Sequence, residues 1–164
     1  MPELRDASAD DFAVILELND AEVQQTSPMD LERLEFLHRL SSFHQVALVD
    51  GRVAGFLLAM REGAAYPNDN YDWFRSRYRQ FIYIDRIVVG AEFAGQRVGS
   101  TLYQALFARA RTEGISMITC EYNLEPPNPA SAAFHARFGF TEVGRQQVAG
   151  GSKLVSLQRL ELAG

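Results

Sequence analysis

The sequence has very little cysteine and no long apolar run. Cys120 is its single cysteine, so no disulfide can form within the chain and nothing indicates an oxidising compartment. The longest apolar run, VAGFLLAM, is far too short to cross a bilayer. The first residues, MPELRDASADD, lack the basic and apolar regions of a signal peptide. We therefore expect a cytoplasmic protein without a membrane partner.

Excess positive charge and metal-ligand spacing are also missing. The net charge of −5 argues against nucleic acid as the main partner, because phosphate backbones attract basic surfaces. The three histidines are not spaced like metal ligands, so no metal site is expected. No repeat, low-complexity tract or linker divides the chain. We therefore expect a single domain, residues 1–164, with a full hydrophobic core.

What the sequence does contain is an alternation of strand-like and helix-like segments. The β-branched and aromatic run FIYIDRIVV is the strongest strand prediction. Asp50-Gly51 and Gly150-Gly151 predict the turns of two hairpins. Helices are predicted between strands, two of them at about residues 97–113 and 128–138. This order predicts a central sheet covered by helices.

The segment VVGAEFAGQRVGSTLYQALF, residues 88–107, runs from a strand through a turn into a helix. Gly95 and Gly99 remove side chains at a helix start, where backbone N–H groups are unpaired and carry partial positive charge. Such a helix start can bind a phosphate. The segment is neither a P-loop nor a Rossmann fingerprint, because the defining residues of both motifs are absent. By itself, the pattern is more typical of an ordinary turn.

A second segment, NLEPPNPASAAFHARFGF, predicts a short helix with both ends marked. Asn128 is a good N-cap, Pro129 suits the first helical position, and Gly139 suits the end of the helix. These features explain a capped amphipathic helix. They do not explain why His135 and Asn128 lie beside a phosphate-type turn.

Together, the two segments resemble the GNAT superfamily of acyl-CoA-dependent N-acetyltransferases, and within it a bacterial group of predicted acetyltransferases. The resemblance is most specific from Ile82 to Gly144 and extends weakly over the whole chain. It implies a mixed α/β fold with a central, mostly antiparallel, twisted sheet flanked by helices. It also implies that the sheet is splayed between the strands at about 81–89 and 115–122, where the cofactor arm enters.

The resemblance further implies acetyl-CoA as the cofactor, with the Val89 N–H supporting the thioester carbonyl. The implied cofactor-binding residues are Val88, Val89, Gly95, Gln96, Arg97, Val98, Gly99, Ser100, Asn128 and Phe134. The loop departs from the family pattern, since Ala94 replaces the usual Arg or Gln and Arg97 replaces the usual first glycine. Backbone amides from Gln96 to Ser100 can still bind phosphates, because that interaction does not need the side chains.

Acetyl transfer to an amine needs a base for the amine proton and an acid for the thiolate. His135, where the family usually has tyrosine, is the predicted acid because an unperturbed imidazole has a pKa of about 6.5. Its alternative is a histidine on the helix surface. Asp85 is the predicted base, on the same side of its strand as Val89 and Tyr83. Its alternative is an ion pair with an arginine such as Arg86, and Glu121 on the neighbouring strand is the second candidate base.

Residues 61–80 form a long, aromatic connection between two strands of a hairpin. Asp72 can cap a short helix within it. Our hypothesis is that this segment walls the acceptor pocket, with Tyr71 or Trp73 touching the substrate and Tyr83 as a third contact. Aromatic faces would favour a cationic amine. The alternative is that these aromatic residues pack on the core or on a second subunit.

The sequence thus predicts an acetyl-CoA-dependent N-acetyltransferase. We expect it to transfer an acetyl group directly to a primary amine of a small molecule or peptide. The alternative is a non-catalytic acyl-CoA-binding module, which keeps the cofactor loop and lacks turnover. The sequence leaves a homodimer open.

Overall fold

The computed structural model describes residues 1–22 and 26–163. Their strands form one sheet in the order β1–β2–β3–β4–β5–β7–β6, in which β4 and β5 pair in parallel and the other neighbours are antiparallel. The strands are β1 (Glu3–Asp6), β2 (Phe43–Val49), β3 (Arg52–Arg61), β4 (Ile82–Val89), β5 (Met117–Glu125), β6 (Thr141–Val148) and β7 (Lys153–Glu161). The predicted mixed fold with a mostly antiparallel sheet is confirmed, as are both hairpins.

Five α-helices connect these strands within the described residues. They are α1 (Phe12–Ala21), α2 (Leu31–Leu40), α3 (Asp69–Arg75), α4 (Val98–Thr112) and α5 (Pro129–Phe138). The helices predicted at about 97–113 and 128–138 are therefore confirmed. None of the helices in the described part of the chain is long and apolar enough to span a membrane.

Side-chain caps set where three of these helices begin, and at α2 the Asp30 side chain accepts a hydrogen bond from the Arg33 N–H (2.8 Å). The Asn128 side-chain oxygen accepts a hydrogen bond from the Ser131 N–H at the start of α5 (3.2 Å), as the sequence predicted. At the start of α3, the Asn68 oxygen accepts from the Tyr71 N–H (3.0 Å). The prediction that Asp72 caps this helix is wrong, because Asn68 occupies the cap one turn earlier.

The sheet separates two hydrophobic clusters. Helices α4 and α5 pack on one face, where Leu102 and Leu106 meet Ile84 and Ile118. Helices α1, α2 and α3 contribute to the cluster on the other face, which includes Ile15, Leu34, Leu37, Phe74 and Tyr83. Burial of apolar side chains on both faces stabilises the sheet, at roughly 1.5–3 kcal/mol for each large side chain.

Strand β4 carries a bulge at Asp85. Leu58 of β3 pairs with Arg86 and Ala59 pairs with Ile84, so Asp85 has no partner on β3. The extra residue interrupts the alternation of side chains along the strand.

The bulge changes the face to which later side chains point. Tyr83 and Val88 join the cluster under α1–α3, whereas Ile84 and Val89 contact the cluster under α4 and α5. The Asp85 carboxylate lies on the same side as Tyr83. The prediction that Asp85 and Val89 share one side is therefore wrong, since strict alternation does not continue through a bulge.

Strands β4 and β5 pair over only two residues, Ile82 with Ile118 and Tyr83 with Thr119. The Thr119 hydroxyl strengthens this short contact by donating a hydrogen bond to the Ile82 carbonyl (3.1 Å). Beyond it the strands separate into a fork. The predicted splay between the strands at about 81–89 and 115–122 is confirmed.

A histidine pair lies away from this fork. The Nδ1 atoms of His38 on α2 and His44 on β2 are 2.8 Å apart, so one ring donates a hydrogen bond to the other. His44 is buried, and its Nε2 has no hydrogen-bond partner among the described residues. Burial, reinforced by the neighbouring His38, lowers the pKa of His44 to about 4.

Candidate active site

A cavity of about 1120 Å³ opens from the fork between β4 and β5. One part, which we call the α4 end, is lined by residues 94–95 and 97–100 and by α5. The other part, the α3 end, is lined by Thr26, Ser27, residues 67–70 and Lys153. All but three of the predicted site residues line the cavity: Tyr83, Asp85, Val88, Val89, Gly95, Arg97, Val98, Gly99, Ser100, Glu121, Asn128, Phe134 and His135.

The α4 end has the geometry of an anion site. Gly95 (φ 80°) and Arg97 (φ 61°) both adopt left-handed backbone conformations, which turn the chain sharply into the helix. The N–H groups of residues 98–100 belong to the first turn of α4, where no carbonyl of the same helix can accept them. The side chains of Arg97 and Arg137 bring two positive charges to the same end.

The turn before α4 also sets which residues reach the cavity. The Gln96 N–H donates to the Phe93 carbonyl (3.3 Å), and Gln96 does not line the cavity. The prediction that Gln96 contributes an amide is therefore wrong. Gly99 lies directly against α5, since a Cβ at this position would come within 3.2 Å of the Phe134 ring.

One backbone N–H points into the fork. The Gly90 N–H donates to the Ala54 carbonyl on the β3 side of the strand (2.8 Å). Because successive N–H groups of an extended strand point in opposite directions, the Val89 N–H points away from β3, into the gap. An N–H at this place can stabilise negative charge that develops on an oxygen atom in the gap.

Glu121 and Tyr83 meet where the two strands part. The Tyr83 hydroxyl donates a hydrogen bond to Glu121 Oε1. Burial raises the pKa of Glu121 to about 8, although the Tyr83 hydrogen bond opposes this shift. Burial also raises the pKa of Tyr83, so its hydroxyl stays a neutral donor. A carboxylate with this pKa can take a proton from an amine near neutral pH.

Asp85 is part of a network. Its Oδ2 accepts from Arg86 Nε (2.7 Å), its Oδ1 accepts from the Tyr66 hydroxyl, and both charged side chains are 4% exposed. Arg86 also donates to Asn19 Oδ1 and to the Ser27 hydroxyl (3.0 Å each). The ion-pair alternative is therefore confirmed. The prediction of Asp85 as the base gains no support, because each of its oxygens already accepts a hydrogen bond and Arg86 balances its charge.

His135 is buried between α4 and β5, so the surface alternative is wrong. Its Nδ1 lies 2.7 Å from the Ser131 carbonyl, which can only accept, so Nδ1 carries the proton. Its Nε2 therefore accepts from the Tyr103 hydroxyl (2.6 Å). Burial lowers the pKa of His135, so the ring is neutral at pH 7. The expectation of a protonated imidazole near neutrality is wrong for the same reason.

The sheet places Glu121 and His135 on opposite sides of the fork. Glu121 bonds to Tyr83, which belongs to the cluster under α1–α3, whereas His135 lies on α5. Cys120, which precedes Glu121 on β5, faces the cluster under α4 and α5, because successive side chains of a strand point to opposite faces. Chemistry on the Glu121 side is therefore separated from chemistry on the His135 side.

The segment before β4 lines the α3 end through Pro67, Asn68, Asp69 and Asn70, and none of its aromatic residues lines the cavity. Tyr71 is fully buried, and its hydroxyl donates to the Arg61 carbonyl (2.7 Å) and accepts from the Ala64 N–H (3.0 Å). Trp73 packs on Gly144 of β6, where a Cβ would lie 2.5 Å from the indole ring. The prediction that Tyr71 or Trp73 touches the acceptor is wrong, because both pack within the fold.

Several residues of the cavity escaped prediction. They come from distant parts of the chain and include Ser27, Tyr103, Arg137 and Lys153. Arg86 also lines the cavity, and it did have a sequence signal, because it adjoins an aspartate in an apolar strand and was named as a possible ion-pair partner of Asp85. The others belong to no local motif.

Comparisons with known proteins agree with this geometry. Residues 2–140 match the model of the acetyltransferase (GNAT) family. No curated protein sequence matches the chain. Solved structures share the fold over almost the whole chain. Ard1 from Thermoplasma volcanium is 17% identical, with a TM-score of 0.81 over 99% of both chains.

Two further structures give the same result. A GNAT-family acetyltransferase from Streptococcus pneumoniae is 19% identical, with a TM-score of 0.73 over 99% of this chain and 100% of that one. The yncA protein of Salmonella typhimurium, solved with its cofactor acetyl-CoA, is 21% identical, with a TM-score of 0.72 over 100% of this chain and 95% of that one. At these identities, the likeness shows the fold alone.

Proposed function

The chain belongs to the GNAT acetyltransferase family, whose members use acetyl-CoA, and we propose that it transfers the acetyl group directly to a primary amine of a small molecule or peptide. The observation that carries this proposal is the order of groups along one cavity. An anion site lies at the α4 end, the Val89 N–H lies in the fork, and the raised-pKa carboxyl of Glu121 faces the other side.

The residues at the α4 end fit acetyl-CoA. The N–H groups of residues 98–100 and the side chains of Arg97 and Arg137 would hold its phosphates, which are anions. The absence of a side chain at Gly99 leaves those amides accessible beside Phe134. The gap between β4 and β5 is the passage for the arm, because no strand pairing closes it beyond Tyr83 and Thr119.

On binding, acetyl-CoA supplies the thioester whose carbonyl carbon the amine attacks, and coenzyme A leaves. The Glu121 carboxylate accepts the proton that the amine loses, and the Tyr83 hydroxyl holds Glu121 in place. The Val89 N–H stabilises the negative charge that develops on the carbonyl oxygen. The two groups thus have separate roles: Glu121 is the general base, and the Val89 N–H stabilises the oxyanion.

The Asp85 network positions the acceptor side of the cavity. Through Arg86, Asp85 is connected to Ser27, and through the Tyr66 hydroxyl it is connected to the segment before α3. Asn68 extends this connection, because its side-chain N–H donates to the Tyr66 oxygen (3.3 Å). Two separate walls of the α3 end are thus fixed to β4 by one ion pair.

On the opposite side, His135 and Tyr103 act as positioning residues for the leaving group. Both are neutral, and each satisfies the other by a buried hydrogen bond. A thiol has a pKa of about 8.5, so the departing sulfur can take its proton from water without a strong protein acid. In this proposal His135 shapes the site, and a water molecule protonates the departing thiolate.

A coenzyme A release assay tests the proposal. The protein is given acetyl-CoA with a panel of primary amines and of short peptides with free amino termini, and acetyl-CoA binding is measured in parallel. Release that depends on an acceptor, with the acetylated amine found by mass spectrometry, supports the proposal. Tight acetyl-CoA binding without acceptor-dependent release from any amine would instead support a non-catalytic acyl-CoA-binding module.

A further inference from the structure

Lys153 is the single lysine of the sequence, and it lies in the cavity wall. It begins β7 at the α3 end, where it is half-buried. Its Nζ donates a long hydrogen bond to the Thr26 carbonyl (3.4 Å), which is a neutral acceptor. Within residues 1–22 and 26–163, no carboxylate lies within salt-bridge distance of this ammonium group.

The other cations of the cavity are accounted for either by Asp85 or by the phosphates expected at the α4 end. Arg86 is balanced by Asp85, with an Nε–Oδ2 distance of 2.7 Å. Arg97 and Arg137 lie at the α4 end, where phosphates are expected. A half-buried ammonium group without an anion has lost part of its hydration and has gained little in return. The Lys153 ammonium group therefore lacks a counter-charge, and an anion bound at the α3 end of the cavity would stabilise it.

We propose that Lys153 binds an anionic group, a carboxylate or a phosphate, on the acceptor. The inference rests on the proposed function, because the α3 end receives the acceptor only if acetyl-CoA occupies the α4 end. Lysine suits this task because its ammonium group is a compact point charge with three donors. The acceptor then carries an amine at one end and an anion at the other.

The sheet register sets the spacing of these two ends. Glu121 lies opposite Leu157 of β7, and Lys153 lies four residues earlier on the same strand. At about 3.3 Å per residue, the two positions are roughly 13 Å apart along the strand. A free α-amino acid is too short to span this distance, because its carboxylate is separated from its amine by a single carbon. An ω-amino acid fits better, as does a peptide with an acidic residue near its amino terminus.

Two carboxylates, Glu22 and Asp69, also line the cavity, so a second positive charge on the acceptor is the competing possibility. A series of linear amines of equal length separates the two. It consists of 6-aminohexanoate, hexylamine and 1,6-diaminohexane, with 5-aminopentyl phosphate to distinguish phosphate from carboxylate. We expect the wild-type protein to favour an anionic member over hexylamine by about tenfold in kcat/KM, as one partly buried charge pair provides.

Variants of Lys153 test whether that preference comes from this residue. Lys153→Met should abolish the anion preference, Lys153→Glu should reverse it toward the diamine, and Lys153→Arg should keep most of it. The affinity for acetyl-CoA should stay unchanged in all three. An anion preference that survives in Lys153→Met, or a wild-type preference for the diamine, would overturn the proposal.

A labelling experiment gives a readout that does not need turnover. Because Lys153 is the single lysine, an amine-reactive reagent modifies only this side chain and the α-amino group, and mass spectrometry separates the two. In the presence of acetyl-CoA, hexanoate should slow the labelling of Lys153 and hexanol should not. Protection without acetylation of any amine would support the anion site while the proposed function fails. Acetylation with neither protection nor an anion preference would overturn the anion site alone.

Discussion

Replacing Glu121 with glutamine removes the proposed base and preserves its shape. The amide oxygen of glutamine can still accept the hydrogen bond that the Tyr83 hydroxyl donates to Glu121, so the fork should keep its structure. With a pKa of about 8, Glu121 is a carboxylate in about one tenth of the molecules at pH 7 and in nearly all of them at pH 9.5. The wild-type rate should therefore rise about tenfold between these pH values.

The size of the loss follows from the role. General base catalysis contributes about 10²–10⁴-fold, so Glu121→Gln should lower kcat/KM by at least about 100-fold at pH 8. The rate of the variant should also lose the rise with pH. Acetyl-CoA affinity should be unchanged, since Glu121 lies on the acceptor side of the fork.

The assay is coenzyme A release from pH 6 to pH 10 with a weakly basic acceptor amine that is already neutral at pH 7. With such an acceptor, any rise in rate with pH belongs to the protein. Glu125→Gln is the matched control, because Glu125 lies on the same strand, is exposed and does not line the cavity. A Glu121→Gln protein within threefold of the wild type and with the same pH profile would refute the assignment of the base.

Four further predictions concern binding and stability. Gly99→Glu should weaken acetyl-CoA binding by more than about tenfold in isothermal titration while the circular dichroism spectrum stays native, since the carboxylate would face Phe134 and the phosphate-binding amides. Because the pKa of His44 is about 4 when folded and about 6.5 when unfolded, lowering the pH from 7 to 5 should cost about 2 kcal/mol of unfolding free energy, and His44→Gln should lose that part of the slope. Trp73→Ala should destabilise the fold by about 3 kcal/mol and leave the acceptor KM unchanged in urea and kinetic measurements. Gly144→Ala should be less harmful in the Trp73→Ala background than in the wild type, because its Cβ then has room.

Local signals in the sequence were sufficient for the strands and helices and for the turn before α4, whereas the phosphate site at that turn was implied by the family resemblance. Gly95 and Gly99 mark a turn into a helix, and a helix start binds anions whatever its side chains are. Asn128 and Gly139 fix both ends of α5 for similarly local reasons. These features depend on neighbours within a few residues, so they can be read without knowing the tertiary structure.

The acceptor side could not be predicted in the same way. The bulge at Asp85 depends on pairing with β3, and it redirects every later side chain of β4. The state of His135 depends on Tyr103, which is 32 residues away in the sequence. The sequence suggested Trp73 as a substrate contact, but in the structure its indole ring packs against Gly144 of β6. In each case, the deciding partner is distant along the chain and carries no motif of its own.

The fork between β4 and β5 should also make the stability of the folded protein depend on bound acetyl-CoA. Strands β1–β4 all precede strands β5–β7 in the sequence, so the sheet consists of two consecutive halves joined by two residue pairs. A cofactor lodged between the halves adds contacts that the chain itself lacks, and at 100 times its Kd a ligand adds about 2.7 kcal/mol of stability. When acetyl-CoA is scarce, the protein loses this margin and more of it is open to proteases. Turnover of the protein in the cell would then follow the supply of its own acetyl donor.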